Sequence, residues 1–127
     1  MSLVQHKFFD GTVFHRIVPG FVIQGGDPTA SGQGGPGYLT VDKPPASAKY
    51  VHGVVAMAKT QSQAAGTSGS QFFVVTAADA HLPPDYAILG RVVQGIGVVD
   101  RIGKLGDVNT EQPTRVVEIE RATVSTS

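Results

Sequence analysis

Glycine and proline recur along this 127-residue chain, 16 Gly and 8 Pro, so most of its elements must be short. Glycine frees the backbone and proline fixes φ and removes a donor, and both interrupt regular structure. Between these breaks lie brief runs rich in β-branched and aromatic residues. Val13–Val18 and Phe21–Gln24 read as two strands joined by a Pro19-Gly20 turn, which predicts a hairpin. Gly25 to Pro45 reads as a long loop, Gly53–Ala58 as a buried strand, and Lys59–Gly69 as a polar loop. Gln71–Val75 is dense in aromatic and β-branched residues and reads as a strand. Ala77–Asp85 follows as a loop stiffened by Pro83-Pro84, and then Ala87–Val93 as another strand. Ile96, Val99 and Ile102 have helical spacing, so Gly95–Ile102 predicts a short helix. Arg115–Val124 alternates, Val117 and Ile119 against Glu118 and Glu120, as a half-exposed final strand does. Many short strands with one or two helices predict a mainly β fold, a closed or nearly closed barrel, in a single domain spanning 1–127.

Composition narrows the function. With 41% hydrophobic and 16% charged residues and a formal net charge of zero, the chain suits a globular protein with one core. It has no basic run of the kind that neutralises phosphates, so no nucleic-acid partner is expected. The absence of cysteine removes thiol nucleophiles, disulfides and thiolate metal sites. The four histidines, His6, His15, His52 and His81, lack metal-ligand spacing. No apolar run approaches the ~20 residues of a membrane helix, and Met1–His6 does not read as a signal peptide. The expectation is therefore no metal, no cofactor and no membrane contact by this chain.

Two clusters carry possible chemistry. Alternation along the hairpin puts His15 and Arg16 on opposite faces, and across the turn Arg16, Phe21 and Gln24 converge on one surface. An arginine and a glutamine over an apolar floor suit a peptide-binding surface that needs no nucleophile. The plainer reading is a surface arginine on an ordinary hairpin. In Gly69-Ser70-Gln71-Phe72-Phe73 the adjacent rings point to opposite faces, one to the core and one to a pocket, or both to cores. Three other matches fail on context. Gly32–Gly37 fits a dinucleotide glycine pattern but has no strand before it or helix after it. Gly66-Thr67-Ser68-Gly69 begins like a nucleophile elbow and then has Ser70 where glycine belongs. Asp79 and His81 share one loop, which rarely preorganises a dyad. His15 reads as a structural hydrogen-bonding residue.

Four blocks in order now resemble the cyclophilin family of peptidyl-prolyl cis/trans isomerases, in a bacterial-like form. They are Phe14–Asp27 (FHRIVPGFVIQGGD), Gly53–Ala58 (GVVAMA), Gly69–Val74 (GSQFFV) and Ala87–Val92 (AILGRV). The resemblance runs from about Phe9 to the last strand. It implies an eight-stranded barrel capped by two helices, with an external groove for Xaa-Pro peptides and no cofactor. By motif position Arg16 is the catalytic arginine, with Gln24 and Phe21 beside it. Phe21, Val22, Phe73 and Leu82 line the proline pocket. Gln24 and the Ala58 backbone hold the peptide, and Gln71 supports the groove. His81 stands where the family often has tryptophan, which implies weak cyclosporin inhibition, and Tyr86 stands where it often has histidine.

Against the family pattern the chain lacks the two opening strands and most of the first helix, of which Ser2–Phe9 resembles the end. Arg115–Val124 is then expected to lack a neighbour. An open edge exposes unpaired backbone and invites self-association. Two alternatives stay open at this point: a proline-peptide binding module with little catalysis, and a purely structural β-domain.

Overall fold

A computed structural model describes residues 2–125. The hairpin forms as the sequence predicts. β1 (Arg16–Val18) and β2 (Val22–Gly25) pair antiparallel, with Arg16 opposite Gln24, Ile17 opposite Ile23 and Val18 opposite Val22. The Pro19-Gly20 link is a type II turn: Gly20 adopts φ +74°, and the Phe21 N–H donates to the Val18 carbonyl at 3.0 Å. Proline presets the first turn residue, and glycine takes the left-handed one without strain.

The hairpin is one side of a five-stranded sheet. β3 (Thr40–Val41) and β5 (Thr67–Ser68) form a separate two-stranded ribbon between segments that read as loops. β4 (Val54–Met57), β6 (Phe72–Val75) and β7 (Ile88–Arg91) complete the main sheet, in the order β1-β2-β6-β4-β7. β6 lies centrally, with Gln24 and Ala56 both opposite Phe73 on its two sides. A register shift between Val55 and Ala56 bends β4 against β7.

Strand alternation sends side chains to two cores. Val22, Tyr50, Val54, Ala56, Phe73 and Val75 fill one, and Ile17, Ile23 and Val74 the other. The second is covered by α2 (Ile96–Gly103), whose Val99 and Ile102 pack onto it as the helical spacing predicts. Phe72 belongs to this second side, with its ring edge-on to Phe9 and Phe14 at 5.9 Å each. A short α1 (Ser2–Gln5) opens the chain.

Two expectations need correction. Arg115–Val124 forms no ladder. Its backbone runs beside residues 11–14 through Gly11 N–H to Ile119 carbonyl (2.7 Å), Ile119 N–H to Thr12 carbonyl (2.8 Å) and a bridge between Val13 and Glu118. The alternation is kept, with Val117 and Ile119 half-buried and Glu118 and Glu120 exposed. Beyond Phe14 the neighbouring backbone bonds elsewhere, with the Ile17 N–H on the Glu111 carbonyl (2.9 Å), so pairing with 115–124 stops there. The second concerns closure: the mainly β fold with short helices stands, and the sheet is not strictly closed. The sheet ends at β7, which pairs only with β4, and no strand among the described residues joins it to the C-terminal segment. β7, all of whose residues are exposed, has no partner on its outer side among the described residues, whereas Arg115–Val124 does have a neighbour in residues 11–14.

The loop after β2 is tied down by Asp27. This wholly buried carboxylate accepts from the backbone N–H groups of Thr29 (2.8 Å), Ser31 (3.1 Å), Gly32 (2.7 Å) and Gly34 (3.0 Å), and from the Thr29 hydroxyl (2.7 Å). Burial alone pushes its pKa up. The hydrogen bonds outweigh burial and hold the carboxyl well below the usual range, so it stays ionised and keeps its donors. The ordered loop delivers the Gly34 carbonyl to the neighbouring site.

Candidate active site

Register places the first functional pair. Because Arg16 faces Gln24 across β1 and β2, their side chains emerge together, and Arg16 Nη1 donates to Gln24 Oε1 at 3.2 Å. Phe73 lies opposite Gln24 on β6, and Gln71, just before that strand, closes the next step. Gln24 Nε2 donates to Gln71 Oε1 (3.0 Å), and Gln71 Nε2 donates to the Gly34 carbonyl (3.0 Å). At the other end of this chain of bonds, Arg16 Nε donates to Glu111 Oε1 at 2.9 Å. Two of the guanidinium's five N–H groups are thus engaged. The other three have no hydrogen-bond partner among the described residues.

These groups border an open cleft of ≈ 520 Å³, lined by Arg16, Phe21, Val22, Gln24, Ala58, Phe73, Leu82 and Tyr86 among others. Most residues expected at the site therefore do converge. Phe73 is 5% exposed and Val22 2%, so they form the floor, while Phe21, Leu82 and Tyr86 pack around it as half-buried walls. The Phe73 ring serves both the core and the cleft, and Phe72 does not reach the cleft. The Ala58 N–H already donates to the Gln71 carbonyl (2.9 Å), so of this backbone group's two polar atoms only the carbonyl is unengaged among the described residues. Gln71 stands one position back: it borders an adjoining cleft and reaches this one only through Gln24.

His81 is the exception. It adopts φ +54° with its backbone N–H on Asp79 Oδ1 (2.8 Å), and its ring is 85% exposed and outside the cleft lining. The turn aims it at solvent. Its ring lies 3.8 Å from the Asp79 carboxylate and faces no nucleophile. His15 has Asp27 and the Gln71 side chain beside it, and neither buried ring nitrogen makes a well-formed hydrogen bond. Burial pushes its pKa down against the pull of Asp27, which favours a neutral ring. Ser68 is buried in β5 with its hydroxyl on the Gly66 carbonyl (3.5 Å), so it is no exposed nucleophile. Among the described residues no group of three or more His, Cys, Asp or Glu could hold a metal ion, and no helix is long and apolar enough to cross a membrane.

Two residues of the site carried no signal in the sequence reading. Tyr50 is 1% exposed, and its phenol both donates to the Tyr86 carbonyl (2.6 Å) and accepts from the Tyr86 N–H (3.0 Å). Burial pushes that phenol's pKa up, so it remains a donor. Tyr50 thereby fixes Tyr86, whose ring meets Phe73 edge-to-face at 5.5 Å and carries Lys59 Nζ 5.2 Å from its centroid. The second is Glu111, which lies 95 residues from Arg16 in sequence.

An apolar floor beside a tethered guanidinium, with no nucleophile, is the arrangement expected of one class of protein. The chain belongs to the family described as cyclophilin type peptidyl-prolyl cis-trans isomerase/CLD, whose sequence profile matches residues 1–124. It is similar to peptidyl-prolyl cis-trans isomerase A of Mycobacterium tuberculosis, 41% identical over 129 residues, covering 93% of this chain and 65% of that protein. It is also similar to human peptidyl-prolyl cis-trans isomerase-like 1, 40% identical over 125 residues, covering 95% of this chain and 74% of that one. The chain thus spans just under two-thirds of the mycobacterial relative's length. Among solved structures, a Cryptosporidium parvum cyclophilin-type isomerase, crystallised in the presence of the dipeptide Ala-Pro, superposes with a TM-score of 0.87 at 28% identity. That match covers 99% of this chain and 82% of the crystallised one.

Proposed function

We propose that the chain is a peptidyl-prolyl cis/trans isomerase acting on Xaa-Pro bonds of peptides and folding proteins, with Arg16 as its catalytic residue. The observation that carries this reading is the Arg16 guanidinium, held by Glu111 and Gln24 at the edge of an apolar floor. The amide resists rotation because nitrogen shares its lone pair with the carbonyl, at a barrier of roughly 18–20 kcal/mol. Rotation requires that nitrogen to pyramidalise and take the lone pair back. An N–H donor aimed at the prolyl nitrogen stabilises the twisted state more than either planar one, which is what lowers the barrier. Arg16 supplies that donor from its free N–H groups. Phe21, Val22, Phe73 and Leu82 seat the ring and exclude water. The remaining Gln24 N–H and the Ala58 carbonyl hold the peptide backbone, and Gln71 fixes Gln24. Tyr86 walls the pocket, and His81 takes no part. Nothing in this route needs an acid, a base or a covalent intermediate.

The test is the exchange rate of a short Xaa-Pro peptide with and without the chain. Faster exchange at an unaltered cis fraction is expected, and unaltered exchange beside folded protein overturns the reading.

The partner reading includes a second copy of this chain. β7 leaves one edge unpaired, and Ile88 and Leu89 there are 40% and 55% exposed. Unpaired backbone beside apolar side chains favours strand addition. Sedimentation at rising concentration should show mass above the monomer, and a concentration-independent monomer sinks this part.

A further inference from the structure

We infer that Glu111 is a positioning residue that sets the orientation of the Arg16 guanidinium, an inference that rests on the isomerase reading above. An arginine on a short strand has four rotatable side-chain bonds, and a single contact to Gln24 leaves the guanidinium free to swing. The Glu111 carboxylate, 2.9 Å from Nε, adds a second contact on a different edge of the same planar group. Two contacts at Nε and Nη1 fix the plane, so the unengaged N–H groups have one direction.

The loop that carries Glu111 is built for this placement. The Glu111 backbone carbonyl accepts from the Ile17 N–H (2.9 Å), the residue next to Arg16, so the loop docks on β1 at the position where the guanidinium leaves it. Its base is closed by Glu111 N–H to Asp107 carbonyl (2.9 Å) and Asp107 N–H to Gln112 carbonyl (2.9 Å). The Asp107 carboxylate accepts the N–H groups of Asn109 (2.8 Å) and Thr110 (3.1 Å). Gly106 lets the loop approach so closely, because a Cβ there would clash with the Ile17 carbonyl oxygen.

Glu111 itself sits at φ +62°, a left-handed conformation that glycine adopts without strain and other side chains rarely take. Stability does not account for a glutamate at that position. The ion pair is exposed on both sides, 39% for Arg16 and 43% for Glu111, and pairs so exposed add little to folding. The side chain held there at a conformational cost is the one that touches the catalytic arginine.

The experiment compares Glu111→Gly and Glu111→Gln with the wild-type chain, reading kcat and KM for an Xaa-Pro peptide and the Arg16 Nε–H signal by ¹⁵N NMR. Glycine suits the backbone, so Glu111→Gly removes the carboxylate and keeps the fold, which a thermal melt verifies. Its kcat should fall about tenfold with KM little moved, and the Nε–H signal should shift and exchange faster with water. Glu111→Gln retains an oxygen acceptor, so it should keep the Nε–H signal and most of kcat. Overturning results are a Glu111→Gly variant with wild-type kcat, one changed in KM alone, one whose Nε–H signal does not move, or a Glu111→Gln variant as impaired as Glu111→Gly. A wild-type chain that does not accelerate exchange is a different outcome, since it removes the isomerase reading itself.

Discussion

Replacing Arg16 by alanine is expected to slow catalysed exchange about 10²–10³-fold while leaving the chain folded. The magnitude is that of one preorganised donor directed at charge that develops only in the twisted state, ~3–4 kcal/mol. The loss should fall on kcat, because Phe21, Phe73 and Leu82 still seat the proline ring. The fold should survive, because the Arg16 side chain is 39% exposed and its bonds run only to Glu111 and Gln24. Arg16→Lys should rescue little. An ammonium at the end of a flexible stem cannot meet Glu111 and Gln24 on two edges of one plane and still present oriented donors. Steady-state kinetics beside a thermal melt checks both statements. A variant that keeps its rate would remove Arg16 from the chemistry.

Phe73→Ala should act in the opposite way, through stability first. The ring is 5% exposed, with Tyr86 edge-on at 5.5 Å and Tyr50 tilted at 6.4 Å. Deleting it leaves a void in the larger core and costs about 3–5 kcal/mol. That is a large share of the ~5–15 kcal/mol that holds a domain together. Because the same ring is the cleft floor, peptide binding should fail along with the fold. Phe73→Leu, which keeps most of the volume, should recover much of the stability. Urea unfolding of the two variants measures the difference, and an alanine variant within 1 kcal/mol of wild type contradicts this placement of Phe73.

The contrast between these variants shows which parts of the site a sequence can disclose. Arg16, Phe21, Gln24 and Phe73 sit in or beside strands whose alternation and Pro-Gly turn fix their faces locally, so the hairpin and the Gly69–Val74 block carry them in plain view. Glu111 lies in a polar stretch, Asp107 to Gln112, where an acidic residue looks like any solvated charge. Only the docking of that loop on Ile17 brings it to Arg16. Tyr50 was silent for the same reason, since its role depends on a phenol reaching Tyr86 across the fold.

Strand pairing shows the same limit. The two-residue ribbon of Thr40–Val41 and Thr67–Ser68 is too short for any period to show. For 115–124 the alternation gives the half-buried face of Val117 and Ile119, yet a ladder also needs a neighbour free to bond along its length, and residues 11–14 supply only a few bonds. His81 was placed by motif position, and its left-handed backbone turns the ring out to solvent.

The central claim is that this cleft rotates Xaa-Pro bonds and does more than bind them. The most direct test is exchange NMR on the cis and trans signals of an Ala-Pro-Phe peptide, recorded with the wild-type chain and with Arg16→Ala, while the same samples report signals from Phe73 and Gln24. The account predicts that wild type accelerates exchange, that Arg16→Ala largely abolishes the acceleration, and that peptide perturbs Phe73 and Gln24 in both. Peptide that perturbs those residues in the wild-type chain without faster exchange would contradict it and leave a proline-peptide binding module.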